Sequence, residues 1–346
     1  MRVRHKRTLA CRILLAVLLL VIIVCAAAGG IWLSAMHSLG KHAVCGTDSG
    51  YETDGCVLED TVLYHGKTYR RNEKISTILC MGLDTENDMK SAGGVIGSGA
   101  QSDANFLVVI DREQKKLRIV AIPRDTMTDL ETFYMTGEPL GLLQDHLALQ
   151  YAFGDGGTKS CELVERAVSR LFYNLPIDAY VTFSLNSIES LNGMAGGVTV
   201  FLEQDFENYH AGETVTLNNE QAYRFVRWRD CDEAYSAQYR LQRQKEYLTA
   251  FVEKVIGETR ADLRTPFRMY AGISDSVLTN LSRTQILSLA LTGISCGFSE
   301  ESLQVVPGEQ VMGDYYEEFH VDEEQFAGNC WRGCESGGAG PGDSGI

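Results

Sequence analysis

The sequence predicts an α/β fold built on a mixed sheet and exported behind one N-terminal membrane helix. Three observations carry this expectation. Short apolar strands, such as ANFLVVI over 104–110 and KLRIVAI over 116–122, alternate with segments of helical period. Residues 13–36 hold no charged side chain, and five basic residues precede them. The 346-residue chain is otherwise ordinary, 45% hydrophobic and 22% charged, so a sizeable core is available.

Arg2, Arg4, Lys6, Arg7 and Arg12 form a basic cluster without an acid. The positive-inside bias makes residues 1–12 a cytoplasmic tail. About 20 apolar residues span a hydrocarbon core, so 13–36 is long enough to cross, with Trp32 near its outer end. A cleaved signal peptide is the competing reading, because Ala26, Ala27, Ala28 and Gly29 are small enough for a peptidase. The run is longer than a usual signal core, which favours a retained anchor. The expected location is the cell membrane, single-pass, with the bulk of the chain extracellular. Residues 37–59 read as a stalk, 60–335 as the folded domain and 336–346 as a disordered Gly-rich tail.

Eight cysteines follow the apolar run: Cys45, Cys56, Cys80, Cys161, Cys231, Cys296, Cys330 and Cys334. An even number suits disulfides outside the cell, and proximity pairs Cys45 with Cys56 and Cys330 with Cys334. No CxxC pair occurs and the histidines are scattered, so no zinc site is expected. The net charge is −15, and the basic N-terminus makes the remainder more negative still. Such a domain repels nucleic acid unless it hides a strong basic patch, and twelve cytoplasmic residues cannot fold into a DNA reader. An anionic ligand must therefore be held by a local group of arginines.

The pattern next predicts a hairpin over 61–69 (TVLYHGKTY) turning at His65-Gly66, a strand over 76–83 and a Gly/Ser-rich loop over 88–101. Strands 104–110 and 116–122 return on each other through a polar turn at 111–115, and Pro123 ends the second. Helices are expected over 147–153, 159–173, 184–191 (ending at Asn192-Gly193), 219–228 (capped by Asn218 or Asn219) and 235–257, the longest. Further strands are expected over 179–183, 198–202 and 303–306.

Charged residues cluster at strand ends. Asp84 follows the strand over 76–83, Asp103 precedes that over 104–110, and Arg124 follows that over 116–122. Ligands of α/β sheets collect at such edges, provided the three ends meet in space. A second group is Arg227, Arg229, Arg240, Arg243 and Gln244. Arg240 and Gln244 are four apart and share a helix face. Guanidinium forks match phosphate oxygens. The same arginines could equally be a solvated surface paired with Glu220, Glu233 and Glu246. The runs 106–110 and 119–122, with Phe183, Leu185 and Ile188, could be ordinary core or the wall of a lipid tunnel.

The strings ILCMGLDTE (78–86), SDANFLVVIDREQKKLRIVAIPRDT (102–126), LQYAFGDGG (149–157), NLPIDAYVTF (174–183), NGMAGGVTV (192–200), LNNEQAYRFVRWRD (217–230) and YRLQRQKEYL (239–248) resemble, in order, motifs of the LytR-CpsA-Psr family. The resemblance implies an α/β/α sandwich with a hydrophobic lipid tunnel. It also implies a phosphotransferase moving a glycopolymer, such as wall teichoic acid or capsular polysaccharide, from an undecaprenyl-pyrophosphate carrier to peptidoglycan. By motif match, Asp84 and Asp103 would bind Mg²⁺, Asp103 and Arg124 would be catalytic, and Arg124, Arg227, Arg229, Arg240, Arg243 and Gln244 would hold the pyrophosphate. One departure stands out: Gln101 occupies a position where the family usually has Arg, and Arg112 and Arg118 are the nearest candidates to compensate. A non-catalytic polyprenyl-phosphate binder and a polyprenyl pyrophosphatase are the alternative functions.

Overall fold

The computed structural model describes residues 61–64, 67–70, 72, 74–85, 99–228 and 236–326. The tail, membrane segment and stalk expected over 1–59, most of the 88–101 loop, Arg229, the 336–346 tail and both cysteine pairings lie outside these residues. Among the described residues no helix is long and apolar enough to cross a membrane, and Cys80, Cys161 and Cys296 are free thiols.

Strands β1 (Thr61–Tyr64) and β2 (Lys67–Arg70) form the expected hairpin, with Tyr64 opposite Lys67. The centre of the fold is a six-stranded mixed sheet. In chain order it uses β3 (Ile75–Leu83), β4 (Ser102–Asp111), β5 (Lys116–Ile122), β8 (Ala179–Phe183), β11 (Val277–Thr279) and β12 (Leu303–Val305). Across the sheet the order is β11-β8-β3-β4-β5-β12. β3, β4 and β5 pair antiparallel, whereas β8 joins β3 and β12 joins β5 in parallel.

Both faces of this sheet are covered, which is why its strands read as nearly continuous apolar runs. Alternate side chains take opposite faces. Leu79, Met81, Leu107 and Ile122 pack with Leu147, Tyr151, Val164 and Val168 from a 3-10 helix (Leu147–Phe153) and α1 (Thr158–Leu171). Ile78, Ile110, Ile119 and Ala121 face the other way, toward Leu248 and Val252 of the long helix α4 (Ser236–Ala261) and Leu289 of α6 (Arg283–Ser295). Each fully buried aliphatic contributes roughly 1.5–3 kcal/mol, so the sheet is a rigid platform for whatever sits at its edge.

The remaining helices are α2 (Asn186–Met194), α3 (Asn219–Arg227) and α5 (Thr265–Ile273). The sequence placed the end of α2 at Asn192-Gly193, but the helix continues to Met194. Asn192 is buried and bridges instead, donating to Leu217 O and accepting from Val198 N. The chain turns only at Gly196 and Gly197, both at positive φ. Residues 147–153 are helical as expected but wind as a 3-10 helix. That helix stops at Gly154, where a Cβ would meet Ser160 N at 2.6 Å. Asn218, not Asn219, caps α3 in a reciprocal capping box with Gln221.

Several elements were not anticipated. β6 (Met127–Phe133) and β7 (Pro139–His146) form a hairpin, as do β13 (Gly308–Met312) and β14 (Glu317–Val321). β9 (Val198–Phe201) gains an antiparallel partner in β10 (Thr214–Leu217).

Candidate functional site

The strand pairing brings one end of β3, β4 and β5 together. Leu83 at the end of β3 lies opposite Ser102 at the start of β4, and Asn105 lies opposite Ile122 at the end of β5. Asp84, Asp103 and Arg124, far apart in sequence, are therefore neighbours at one sheet edge. The Arg124 Nη1 lies 2.5 Å from Asp103 Oδ1, and its Nε lies 3.2 Å from Asp125 Oδ1. From α4, Arg240 Nη1 donates to Asp103 Oδ2 at 3.1 Å. Asp103 thus sits between two guanidinium groups carried by different elements.

Gln101 ties this edge together. Its N–H donates to Asp84 Oδ1 at 2.7 Å, and its carbonyl accepts from the N–H groups of Asp84 (3.1 Å) and Asp103 (3.2 Å). Its side-chain Oε1 accepts from Arg124 Nη2 at 2.7 Å. The position expected to lack a charge therefore carries an acceptor for a neighbouring charge.

Two cavities meet at Asp103, Arg240 and Gln244. One, of about 330 Å³, is apolar and lies between the sheet and helices α2 and α4. Phe106, Val108, Ile119, Phe183, Leu185 and Ile188 line it, opposite Leu248, Phe251 and Val252. The alternation of the strands selects them. Leu107, Val109, Val120 and Ile122 in the expected tunnel runs point to the opposite face and belong to the core there. Burial pushes the Cys80 thiol in this wall up to about 12, so it adds to the apolar lining as a neutral group. The second cavity, of about 220 Å³, is mixed, with charged and amide side chains set beside Pro123, Leu241 and Val305. Arg124, Asp125, Gln238 and Gln242 line it, and Gln310 and Phe319 come from the β13–β14 hairpin.

Of the residues expected at the site, Asp84, Asp103, Arg124, Arg227, Arg240 and Gln244 line one or both cavities. Arg227 also donates to the Tyr223 hydroxyl. Arg243 is not brought there. It is buried and lies over the Trp228 ring at 4.7 Å, with Nη2 donating to Trp228 O at 2.5 Å. One turn of helix points Arg240 at the sheet edge, while the three-residue step to Arg243 turns it toward the end of α3. Asp125, Gln238, Gln242, Gln310 and Phe319 were missed. Asp125 adjoins an expected residue, whereas nothing in the local pattern connects Gln310 or Phe319 to a site so distant in sequence.

A metal would find limited support here. Among the described residues no group of three or more His, Cys, Asp or Glu is placed to hold one. Asp103 Oδ1, however, is buried and makes no aligned hydrogen bond despite its ion pair with Arg124. Asp84 lines the same cavity. Two carboxylates leave most of a coordination shell to water and ligand oxygens, which suits a hard cation that keeps its waters. The arrangement fits an amphiphile: an apolar slot with a guanidinium cluster at its mouth, where a second, mixed cavity opens.

The LytR_cpsA_psr family model matches residues 53–329. A teichoic acid transferase TagU of Enterococcus faecalis, named as a polyisoprenyl-teichoic acid–peptidoglycan transferase, is 26% identical over 74% of this chain and 77% of its own length. Among solved structures, protein gbs0355 of Streptococcus agalactiae aligns with a TM-score of 0.58 at 22% identity, covering 75% of this chain and 86% of that one. B. subtilis TagV aligns at 0.55 and 22%, covering 76% and 98%; both likenesses show the fold. With the family model spanning well over half of its residues, the chain belongs to the LytR-CpsA-Psr family.

Proposed function

We propose that this chain is a Mg²⁺-dependent phosphotransferase that moves a glycopolymer from a membrane-borne polyprenyl-pyrophosphate carrier to peptidoglycan. The observation that carries the reading is the group of charged and amide side chains, Asp103, Arg240 and Gln244, at the junction where an apolar cavity meets a second, mixed one lined by Arg124 and Asp125. A lipid diphosphate has that same division, a hydrocarbon tail joined to an anionic head. The naming of relatives as polyisoprenyl-teichoic acid–peptidoglycan transferases supports the same substrate class.

In this reading the polyprenyl chain lies against Phe106, Val108, Ile119 and Val252, and the pyrophosphate sits at the mouth. Arg124 and Arg240 exchange their contacts with Asp103 for phosphate oxygens, with Arg227 and Gln244 beside them. Asp84 and Asp103 would then hold Mg²⁺, which when bound supplies positive charge against the phosphates. An acceptor sugar hydroxyl enters through the second cavity and forms a new P–O bond to the glycan-bearing phosphorus. The bridging P–O bond of the pyrophosphate breaks, and the carrier leaves as its monophosphate. The hydroxyl proton passes to water. Catalysis is then mostly positioning and charge neutralisation, as phosphoryl transfer requires.

The test uses the full-length chain with a labelled polyprenyl-diphosphate glycan and peptidoglycan. Transfer should require Mg²⁺ and should be abolished by Arg124→Ala and by Asp103→Ala with the fold retained. Turnover that survives both substitutions refutes the site. Binding without turnover would mean a scaffold, and release of glycan phosphate to water a pyrophosphatase.

A further inference from the structure

We propose that Gln101 is a positioning residue that aims the Arg124 guanidinium, rather than a gap in the phosphate cradle. The inference rests on the reading of this edge as a pyrophosphate site.

Arg124 has three faces of its fork near acceptors. Nη1 is 2.5 Å from Asp103 and Nε is 3.2 Å from Asp125. Neither contact is directional: Asp103 Oδ1 and Arg124 Nε both lack an aligned hydrogen bond. Nη2 donates to Gln101 Oε1 at 2.7 Å, an aligned bond. The two carboxylates therefore supply charge, while the neutral carboxamide supplies direction. Gln101 can do this because its own backbone is fixed on both sides. Its N–H is held by Asp84 Oδ1, and its carbonyl takes the N–H groups of Asp84 and Asp103. One residue thus sets the spacing of both carboxylates and the angle of the arginine.

The neutrality matters. A carboxylate at 101 would put a third negative charge around Arg124 and against an incoming diphosphate. An arginine at 101 would remove the acceptor and set a second cation against Nη2, pushing Arg124 out of line.

The experiment compares Gln101→Leu, Gln101→Glu and Gln101→Arg with the wild type as full-length protein in detergent, using the polyprenyl-diphosphate glycan donor. Misaimed catalytic groups lose turnover more than binding, so Gln101→Leu should lower kcat by about tenfold or more with donor KM within about threefold. Its melting temperature should stay near the wild-type value. Gln101→Glu keeps an acceptor in place and should restore most of kcat, with a raised donor KM. Gln101→Arg should fall below wild type in kcat. A Gln101→Arg enzyme that outpaces wild type with a lower KM would overturn the proposal, because the position would then be a missing charge. Loss of kcat that tracks loss of melting temperature, without rescue by Glu, would reduce Gln101 to a structural residue. A readout independent of turnover is the ¹⁵N spectrum of arginine side chains, with Arg124 assigned by Arg124→Lys. Its Nη protons should exchange slowly in wild type and Gln101→Glu and rapidly in Gln101→Leu. If the wild type transfers nothing, the proposed function fails, while this spectrum still decides whether Gln101 holds Arg124.

Discussion

Arg240 is where the fold and the proposed chemistry meet, so replacing it with methionine separates them. Arg240 is 8% exposed, and its Nη1 bonds Asp103 Oδ2 at 3.1 Å. Methionine keeps much of the apolar stem and removes the fork. On the ligand side, a hydrogen bond to a charged group is worth about 1.5–3 kcal/mol net, and about 1.4 kcal/mol is a factor of ten. Donor kcat/KM should therefore fall roughly 10- to 100-fold. On the folding side, Asp103 loses one directed donor but keeps the Arg124 contact, and its side chain is 21% exposed. Water replaces part of what is lost, so the stability cost should sit near the low end of the usual range, about 1 kcal/mol. Arg240→Lys should recover only part of the activity, because a point charge cannot reproduce the geometry of the guanidinium fork. The assay is steady-state transfer from a labelled lipid-linked glycan, beside urea unfolding of the same protein. A kcat/KM within about twofold of wild type, together with a stability loss above about 3 kcal/mol, would refute the reasoning: Arg240 would then be a clamp on Asp103 and not a ligand contact.

Val252 lines the apolar cavity; Val252→Trp should displace three or four methylenes of bound lipid, about 3 kcal/mol or roughly 100-fold in affinity for a long-chain donor. A short-chain analogue should be much less affected, and equal losses for both would count against the tunnel. Arg243→Met should leave donor KM within about threefold, since Arg243 packs on Trp228 and lines neither cavity; a tenfold rise would return it to the site. Glu165 on α1 is fully buried, with no hydrogen-bond partner for either carboxyl oxygen. Burial, with nearby Glu162 adding, pushes its pKa up to about 8 from 4.5. The folded state then keeps a proton that the unfolded chain gives up. Its contribution is fully present below 4.5 and is lost as pH rises through about 8. Urea melts across that window should show stability declining by up to about 1.4 kcal/mol per pH unit. Glu165→Gln should flatten the decline, and an unchanged slope would mean that another group sets it.

The parts of the fold that were legible in the sequence share a cause. β3, β4, β5 and β8 are buried on both faces, so each is a compact apolar block between turn residues. α4 and α3 carry strong local signals, length in one and the Asn218 cap in the other. The hairpins β6–β7 and β13–β14 were not legible: β7, β13 and β14 are short or largely exposed, and β6, though mostly buried, buries the polar Thr128, Glu131 and Thr132 and so shows no clean apolar alternation. The start of α6 carries a Ser282-x-x-Gln285 capping box, a helix-start signal legible in the residues themselves.

The site divides the same way. Asp84, Asp103 and Arg124 could be named because each terminates a visible strand, although only antiparallel pairing in the right register makes them neighbours. Arg240 and Gln244 were given by helical spacing. Spacing alone groups Arg243 with Arg240, because it cannot say which side of a helix faces the sheet edge and which faces Trp228. The role of Gln101 was hidden because residue type suggests only a lost charge, whereas the hydrogen bond to Arg124 exists only in three dimensions.

Every assignment above depends on a lipid diphosphate lying across the junction of the two cavities. A crystal structure of the full-length chain with a non-hydrolysable polyprenyl diphosphate and Mg²⁺ tests it most directly. The diphosphate should lie within hydrogen-bond reach of Arg124 and Arg240, with the hydrocarbon against Phe106, Ile119 and Val252 and the cation on Asp84 and Asp103. A diphosphate bound elsewhere, with the Arg124–Asp103–Arg240 contacts unchanged and the apolar cavity closed to the chain, would contradict it.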